Sequence, residues 1–189
     1  DRVMAAGMLI TLSPIFLILA IMIKRDSEGE VFFRQTRVTQ YGRTFGIYKF
    51  RTMVKNAESL GAQVTSQNDM RVTKVGNMLR SCRLDELPQL INILLGDMSF
   101  VGTRPEVPRY VEAYTDEMKA TLLLLAGVTS VASIAYKDED QLLQNAQNVD
   151  KVYINEVLPG KMAWNLKSIK DFSFLQDIKT MIDTVLAVL

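Results

Sequence analysis

The sequence contains no histidine, so it lacks the side chain that most often transfers protons near neutral pH. Ser-His-Asp triads are excluded with it, as are most zinc and iron sites. Chemistry in this chain must therefore use carboxylates, amines or hydroxyls. The single cysteine, Cys82, excludes an internal disulfide and is consistent with a reducing compartment.

The chain also lacks an excess of either charge, since 22 Lys and Arg face 21 Asp and Glu in 189 residues. We therefore expect no nucleic-acid partner, and the length is about that of one domain. The charges are unevenly distributed, however. Residues 24–86 contain 12 basic and 7 acidic side chains, whereas residues 106–156 contain 4 and 9, so the first half is the part suited to bind anions.

The longest uncharged run covers 21 residues, 3–23, which is enough for a helix to cross a membrane. Lys24 and Arg25 follow it and favour a cytoplasmic location for the rest of the chain. Ser13-Pro14 lies mid-run, where proline should bend the helix and the Ser13 hydroxyl should satisfy the freed carbonyl. The residues alone favour a kinked spanning helix, because proline is tolerated there, and leave open a re-entrant helix with both ends on one face.

Two adjacent carboxylates, Asp85 and Glu86, precede the apolar stretch 87–95. A helix with Pro88 in its first turn would place both at its positive end, where ionised carboxylates and phosphates are favoured. Four basic residues come before them: Arg71, Lys74, Arg80 and Arg83. This pattern suits a nucleophile or Mg²⁺ ligands in phosphate chemistry. The alternative is a helix cap with surface ion pairs, because acidic residues are common in first turns.

The remaining patterns predict an α+β fold that is mostly helical. A small β-hairpin is expected from residues 31–35 and 45–50, with basic residues among aromatics that would bind phosphate or face solvent. Helices are expected over residues 71–81 and 106–126. The C-terminal segment carries an apolar stripe at helical spacing, typical of a core helix or of an interfacial amphipathic helix.

Five segments form a distinctive set when taken in chain order. They are the apolar run with Ser13-Pro14, the Lys-Phe-Arg-Thr-Met of residues 49–53, Arg80, the Leu-Asp-Glu-Leu-Pro-Gln-Leu of residues 84–90, and the Gly-Asp-Met-Ser-Phe-Val-Gly of residues 96–102. Together they resemble the bacterial sugar transferase family, the monotopic polyprenyl-phosphate phosphoglycosyl transferases. The resemblance covers nearly the whole chain and is most specific from Asp85 to Arg104.

The resemblance implies an enzyme at the cytoplasmic face of the bacterial inner membrane. It would transfer a sugar 1-phosphate from a UDP-sugar to polyprenyl (undecaprenyl) phosphate and release UMP, with Mg²⁺, as the first membrane step of glycoconjugate assembly. Asp85 would be the nucleophile that forms an aspartyl-phosphosugar, and Glu86 would help it to hold the metal or would handle a proton. Nucleotide or phosphate contacts would come from Lys49, Arg51, Arg80, Arg104 and Pro105.

The resemblance also implies how the chain is divided. Residues 1–23 would form a re-entrant membrane helix bent at Ser13-Pro14, and residues 24–189 a membrane-associated catalytic domain with interfacial helices. Asp177 is a further site candidate, because the C-terminal segment of the family also carries an aspartate. The sequence leaves open the sugar, the polyprenol and the oligomeric state, a homodimer included.

Two departures from the family pattern affect the nucleotide contacts. Thr103-Arg104-Pro105 replaces Pro-Arg-Pro, and Leu125-Ala126 replaces the Arg-Pro of Arg-Pro-Gly-Ile-Thr, so either another cation substitutes or the contacts differ.

Two other functions remain open. One is a non-catalytic membrane-anchored assembly module, and the other is a metal-dependent glycosyltransferase that would use Asp138 and Asp140 and release UDP; acidic triplets of this kind are usually only solvated.

Overall fold

The computed structural model describes residues 1–57, 69–143 and 148–188. The α-helices in these ranges are α1 (Arg2–Asp26), α2 (Lys74–Ser81), α3 (Gln89–Leu95), α4 (Pro108–Val111), α5 (Asp116–Lys119), α6 (Val131–Ala135), α7 (Glu139–Leu143), α8 (Val149–Val152), α9 (Leu158–Lys170) and α10 (Phe174–Val188). The strands are β1 (Phe32–Val38), β2 (Thr44–Phe50), β3 (Met98–Val101) and β4 (Ala126–Thr129). Turns of 3₁₀-helix cover Gln40–Gly42, Leu84–Glu86 and Ala120–Leu123, and Tyr153–Val157 forms a π-helical turn.

Helix α1 packs along the rest of the protein over its whole length. Its first half buries Ala5 against Phe45, Leu90 and Ile93, and its second half buries Leu19 and Ile23 against Phe50 and Leu79. Both ends are attached as well. The Asp1 carboxylate accepts a hydrogen bond from Ser99 Oγ (2.6 Å), and the Asp26 carboxylate accepts one from the Val75 amide (2.9 Å).

The Ser13-Pro14 pair lies within this helix, which continues to Asp26 rather than ending at Ile23. Ser13 Oγ donates a hydrogen bond to the Ile10 carbonyl (2.8 Å), the oxygen that Pro14 cannot reach because it has no N–H. The prediction that Ser13 satisfies this carbonyl is confirmed. Among the described residues α1 is the one helix long and apolar enough to cross a membrane, and most of its side chains face outward.

The predicted hairpin is confirmed as the antiparallel pair β1–β2, with Phe32 opposite Phe50 and Val38 opposite Thr44. Helix α3 is pinned to the middle of β2 by the fully buried Asn92 side chain. Asn92 Oδ1 accepts from the Tyr48 amide (2.8 Å) and Nδ2 donates to the Gly46 carbonyl (3.0 Å). These two bonds hold α3 against β2.

A short parallel pair, β3–β4, follows α3, with Met98 beside Ala126 and Val101 beside Thr129. Gly96, at φ 85°, ends α3 in the left-handed region and turns the chain into β3. The helix predicted over residues 106–126 is wrong in part. The segment forms the short helices α4 and α5, because the Thr115 hydroxyl caps a new helix by accepting from the Met118 amide (3.3 Å), and residue 126 begins β4.

The second half of the chain builds a separate hydrophobic cluster and the amphipathic helix α10. The cluster centres on Tyr110, Tyr153 and Met162, each at most 2% exposed. Helix α10 is joined to β4 by a hydrogen bond between the Thr129 and Thr184 hydroxyls (2.7 Å). Large apolar side chains on and before α10 are exposed: Phe172, Phe174, Leu175, Ile182, Val185 and Leu186. This surface fits an interfacial helix better than a core helix.

Candidate active site

Asp85 and Glu86 lie in the first turn of the 3₁₀-helix Leu84–Glu86, between α2 and α3, as the sequence suggested. Leu87 and Pro88 keep helical backbone angles and connect this turn to α3. The turn begins at Arg83, whose φ of 51° is left-handed, so the chain reverses direction sharply before Asp85. Helix α3 starts only at Gln89, after Pro88. Both carboxylates share this position, so their different side-chain neighbours distinguish their electrostatic environments.

Glu86 is held by two cations from distant parts of the chain. Lys49 Nζ on β2 donates to Glu86 Oε1 (3.1 Å), and the Arg104 guanidinium donates to both carboxylate oxygens, with 3.1 Å from Nη1 to Oε2. Arg104 Nη1 also reaches the Val128 carbonyl (3.4 Å) on β4. The side chains of Glu86, Lys49 and Arg104 are 11%, 21% and 27% exposed, so this ion cluster is largely removed from water.

The pKa of each member follows from this arrangement. Burial alone would raise the pKa of Glu86, but Arg104 and Lys49 hold it far below its ordinary value, so the carboxylate stays ionised. The pKa of Arg104 is raised, first by the Glu86 charge. Burial lowers the pKa of Lys49, and the Glu86 charge opposes that change. Glu86 therefore acts as a permanent anion and is unsuited to exchange protons near neutral pH.

Asp85 has a different environment, although it is the next residue. It is 8% exposed, and the described part of the chain gives its carboxylate no hydrogen bond or ion pair. Burial raises the pKa of Asp85; the Lys49 charge lowers it, and the Glu86 charge raises it further. A helical turn does begin at Leu84, but burial opposes the ionisation that this position was expected to favour.

A polar cleft of about 330 Å³ lies in front of the two carboxylates. Of the phosphate-contact candidates, Lys49, Arg80, Arg104 and Pro105 line it. Arg80 is oriented by a hydrogen bond from its Nε to Thr52 Oγ1 (2.9 Å). Two glycines, Gly102 and Gly127, face each other so closely that a Cβ on either would collide with the opposing backbone, and Arg104 lies two residues after the first of them.

The structure does not bring Arg51 or Asp177 to this cleft. The Arg51 guanidinium donates instead to the carbonyls of Ser27 (2.8 Å) and Glu28, where α1 ends. Asp177 lies half-buried in the first turn of α10, away from the lining of the cleft, and burial raises its pKa. Within the Asp138–Asp140 triplet, Glu139 accepts from Lys161 Nζ (2.9 Å), and the side chain of Asp140 lies outside the described part of the chain.

The far end of the cleft contains residues that sequence reasoning missed. Lys161 Nζ contacts Tyr153 Oη (2.9 Å) and Glu106 (3.5 Å), and Tyr153 Oη donates to Glu106 (2.6 Å). Burial, and then the Glu106 charge, raises the pKa of Tyr153, so its hydroxyl keeps its proton. Arg37 donates to the Pro105 carbonyl (3.2 Å). No local pattern marks this set, because its members come from β1, the 105–107 loop, the π-helical turn and α9.

An apolar groove of about 530 Å³ adjoins the polar cleft. Its walls come from α1, α3, β3, β4 and α10, with Met4, Met8, Leu90, Phe100, Val128 and Val185 among the lining residues. Arg83, Glu86, Arg104 and Lys137 line both cavities. The ionic cluster is therefore the boundary between a charged compartment and a hydrophobic one.

The fit of Mg²⁺ to the site depends on Asp85 and Glu86. In the described ranges no group of three or more His, Cys, Asp or Glu side chains lies close enough to hold a metal. Mg²⁺ often takes only one or two carboxylates, with the remaining ligands from substrate phosphates and water. The pair therefore fits such an ion only together with a bound diphosphate, and Asp85 is the member that has no other partner.

Comparison with known proteins gives concordant matches. Residues 1–189 match the family described as bacterial sugar transferase. The chain is 36% identical over 180 residues to the UDP-N-acetylgalactosamine-undecaprenyl-phosphate N-acetylgalactosaminephosphotransferase of Aeromonas hydrophila, covering 94% of this chain and 40% of that protein. It is 36% identical over 190 residues to the UDP-glucose:undecaprenyl-phosphate glucose-1-phosphate transferase of Escherichia coli (strain K12), covering 98% and 38%.

A third relative is similar in length to this chain. The exopolysaccharide production protein ExoY of Sinorhizobium fredii is 32% identical over 203 residues, which cover 100% of this chain and 83% of that protein. The chain thus spans about two fifths of the length of the first two relatives and most of the third.

Proposed function

Because this chain belongs to the bacterial sugar transferase family, we propose that it transfers a sugar 1-phosphate from a UDP-sugar to undecaprenyl phosphate and releases UMP. The observation that carries the proposal is the contrast between Asp85 and Glu86. Glu86 is neutralised by Lys49 and Arg104, whereas Asp85 is buried beside these cations without a partner among the described residues. An unpaired, desolvated carboxylate that faces a cationic cleft is suited to nucleophilic attack on a phosphate.

The proposed reaction proceeds in two displacements at one phosphorus atom. An oxygen of the Asp85 carboxylate attacks the β-phosphorus of the donor, and the bond from that phosphorus to the α,β-bridging oxygen breaks. UMP leaves with the electron pair, and the sugar phosphate is held on Asp85 as an acyl phosphate. A phosphate oxygen of the lipid acceptor then attacks the same phosphorus, which frees Asp85 and yields a polyprenyl diphosphosugar.

The cations of the cleft account for how a dianionic donor can approach a carboxylate. Arg80, which is held by Thr52, lines the cleft together with Lys49 and Arg104, the two cations that pair with Glu86. Fixed positive charges in a partly dehydrated site stabilise the charge that develops on the transferring phosphoryl group. Mg²⁺, which Asp85 and Glu86 would hold together with the donor diphosphate, would neutralise further phosphate charge and support departure of UMP.

Membrane attachment follows from the outward apolar faces of α1 and α10. We place the protein at the cytoplasmic face of the bacterial inner membrane with α1 as a re-entrant helix. Support comes from the two ends of α1, since Asp1 bonds to Ser99 and Asp26 to Val75, both in the catalytic domain. A helix that crossed the bilayer would have to break the first of these contacts to place its N-terminus on the far side.

The decisive test measures UMP release by the full chain in nanodiscs that contain undecaprenyl phosphate and Mg²⁺. A panel of UDP-glucose, UDP-galactose and UDP-N-acetylgalactosamine serves as donor. We expect UMP from at least one donor, and no UMP from Asp85→Asn. Asp97→Asn is the matched control, because Asp97 pairs with the exposed Arg43 (2.8 Å) outside both cavities.

Intact-mass measurement tests the covalent step separately. When the acceptor is withheld, we expect wild-type protein to gain one sugar phosphate and Asp85→Asn to gain none. Turnover without this adduct would favour direct transfer in a ternary complex. Release of UDP instead of UMP would indicate glycosyl transfer, and folded protein that releases neither product from any donor would indicate a non-catalytic assembly module.

A further inference from the structure

Arg83 occupies the boundary between the polar cleft and the apolar groove. Its side chain lines both cavities and is half-buried. The described residues give its guanidinium no hydrogen bond or ion pair, whereas the neighbouring Arg104 is committed to Glu86. Arg83 is therefore a cation available at this boundary for an anion that is not part of the protein.

The backbone at Arg83 also points to a functional constraint. Its φ of 51° is left-handed, a region that costs energy for a residue with a Cβ and is adopted mainly by glycine and asparagine. Such conformations are kept where the surrounding structure needs the side chain in one direction. Here the reversal directs Arg83 towards the wall that the two cavities share.

The groove on the other side of Arg83 has the character of a hydrocarbon site. Met4 and Met8 from α1, Leu90 and Phe100 from the core, and Val185 from α10 line it. The outer surfaces of α1 and α10 also expose large apolar side chains, so the groove is continuous with the face that would meet a membrane. Methionine side chains adapt their shape to what they contact, so this lining suits a flexible hydrocarbon chain rather than a rigid ligand.

We propose that the groove and Arg83 together form the acceptor subsite, in which the first isoprene units of polyprenyl phosphate lie in the groove and Arg83 binds its phosphate. This inference rests on the proposed function and assigns the acceptor to one side of the ionic cluster and the UDP-sugar to the other. A chain that enters along α10 brings its phosphate to Arg83, beside the Asp85–Glu86 turn. The single phosphate of the acceptor is complementary to Arg83, with the exposed Lys137 as a second cation at the same boundary.

The only cysteine of the chain provides a binding assay that needs no turnover. Cys82 is exposed and lines the groove but not the polar cleft. We expect undecaprenyl phosphate in nanodiscs to slow its labelling by a maleimide about tenfold, and UDP-glucose to leave the rate unchanged. Undecaprenol, which lacks the phosphate, should protect Cys82 only at higher concentration. In Arg83→Ala, undecaprenyl phosphate and undecaprenol should protect Cys82 at the same concentration. Equal protection by phosphatidylglycerol would overturn the assignment, because the groove would then be a general lipid site.

Two substitutions on α10 separate the groove from the membrane surface. Val185→Trp fills the groove, whereas Ile182→Trp places the same side chain on an exposed position of the same helix outside the groove. We expect Val185→Trp to abolish protection of Cys82 by undecaprenyl phosphate and Ile182→Trp to preserve it. Loss of protection in both variants, or in neither, would contradict the assignment.

Kinetics complete the test. Loss of a charged hydrogen bond costs about 1.5–3 kcal/mol, so Arg83→Ala should raise KM for undecaprenyl phosphate roughly 10- to 100-fold and leave KM for the UDP-sugar unchanged. Arg43→Ala is the control, since Arg43 is an exposed arginine paired with Asp97. A rise in the donor KM instead would place Arg83 in the donor site and overturn the inference. If wild-type protein releases no UMP, the proposed function fails, while the labelling experiment still decides whether the groove binds the lipid.

Discussion

The two adjacent carboxylates should respond in opposite ways to neutralisation, and thermal unfolding can measure the difference. Glu86→Gln keeps the shape of the side chain and leaves Lys49 and Arg104 charged, buried and without their anion. Removal of one partner of a buried pair typically costs about 3–5 kcal/mol. Lys49 and Arg104 retain 21% and 27% exposure, so the lower limit, about 3 kcal/mol, is appropriate. For a domain of this size that loss lowers Tm by roughly 6–12 °C.

Asp85→Asn should have the opposite sign. Because the pKa of Asp85 is raised in the folded state, ionisation of this group costs stability above the folded pKa and costs nothing below the unfolded value. At neutral pH the asparagine removes that cost, so Tm should be equal to or higher than that of the wild type. The advantage should shrink as the pH is lowered towards 4. The lowered pKa of Glu86 has the opposite consequence, because the ionised Glu86 carboxylate stabilises the folded protein. This stabilisation is lost only when the pH falls well below the ordinary carboxyl range.

Far-UV circular dichroism in one detergent is a suitable assay, with both variants and the wild type compared at neutral pH and at pH 5. Asp97→Asn is again the control, because its pair with Arg43 is exposed and such pairs contribute about 0–1 kcal/mol. If Glu86→Gln unfolded at the wild-type temperature, the ion cluster would not be a structural element. If Asp85→Asn lost as much stability as Glu86→Gln, Asp85 would have a partner that the described contacts do not include.

Three further outcomes are expected. Activity should fall on acidification at a pH above the ordinary aspartate value of about 3.9, because attack needs ionised Asp85 and burial raises its pKa; a kcat/KM profile against pH checks this. Arg51→Ala should lower Tm but leave KM for the UDP-sugar unchanged, because Arg51 binds carbonyls at the end of α1. Val3→Cys in a Cys82→Ser background should react with an impermeant maleimide in inside-out vesicles and not in intact spheroplasts, whereas a spanning helix would give the reverse.

The sequence was sufficient for the family, the fold class and the hairpin, and four of its five phosphate-contact candidates line the polar cleft. These features follow from patterns of neighbouring residues. Examples are the alternation of side chains in β1 and β2 and the hydroxyl of Ser13 before Pro14. Arg51 shows the limit of such signals. Alternation would place it on the same face as Lys49, but β2 ends at Phe50, so the rule no longer applies at the next residue.

Contacts between distant positions were not predictable. Glu86 meets Lys49 from 37 positions away and Arg104 from 18 positions away, and neither pairing has a local pattern. The same reason applies to the Glu106–Tyr153–Lys161 set, which three different segments assemble. The predicted helix over residues 106–126 failed for another reason, because periodicity does not detect a cap such as Thr115 inside an otherwise helical pattern.

The roles of Asp85 and Glu86 also depended on tertiary structure. The position at the start of a helical turn favours both charges alike and does not by itself distinguish the two residues. Burial and ion pairs do distinguish them, because they shift the two pKa values in opposite directions. Neighbouring titratable groups driven apart in this way are the usual arrangement of a reactive residue beside a structural one. Asp85 is therefore the member whose charge is costly to the fold and available for reaction, and Glu86 is the member that fixes the cations around it.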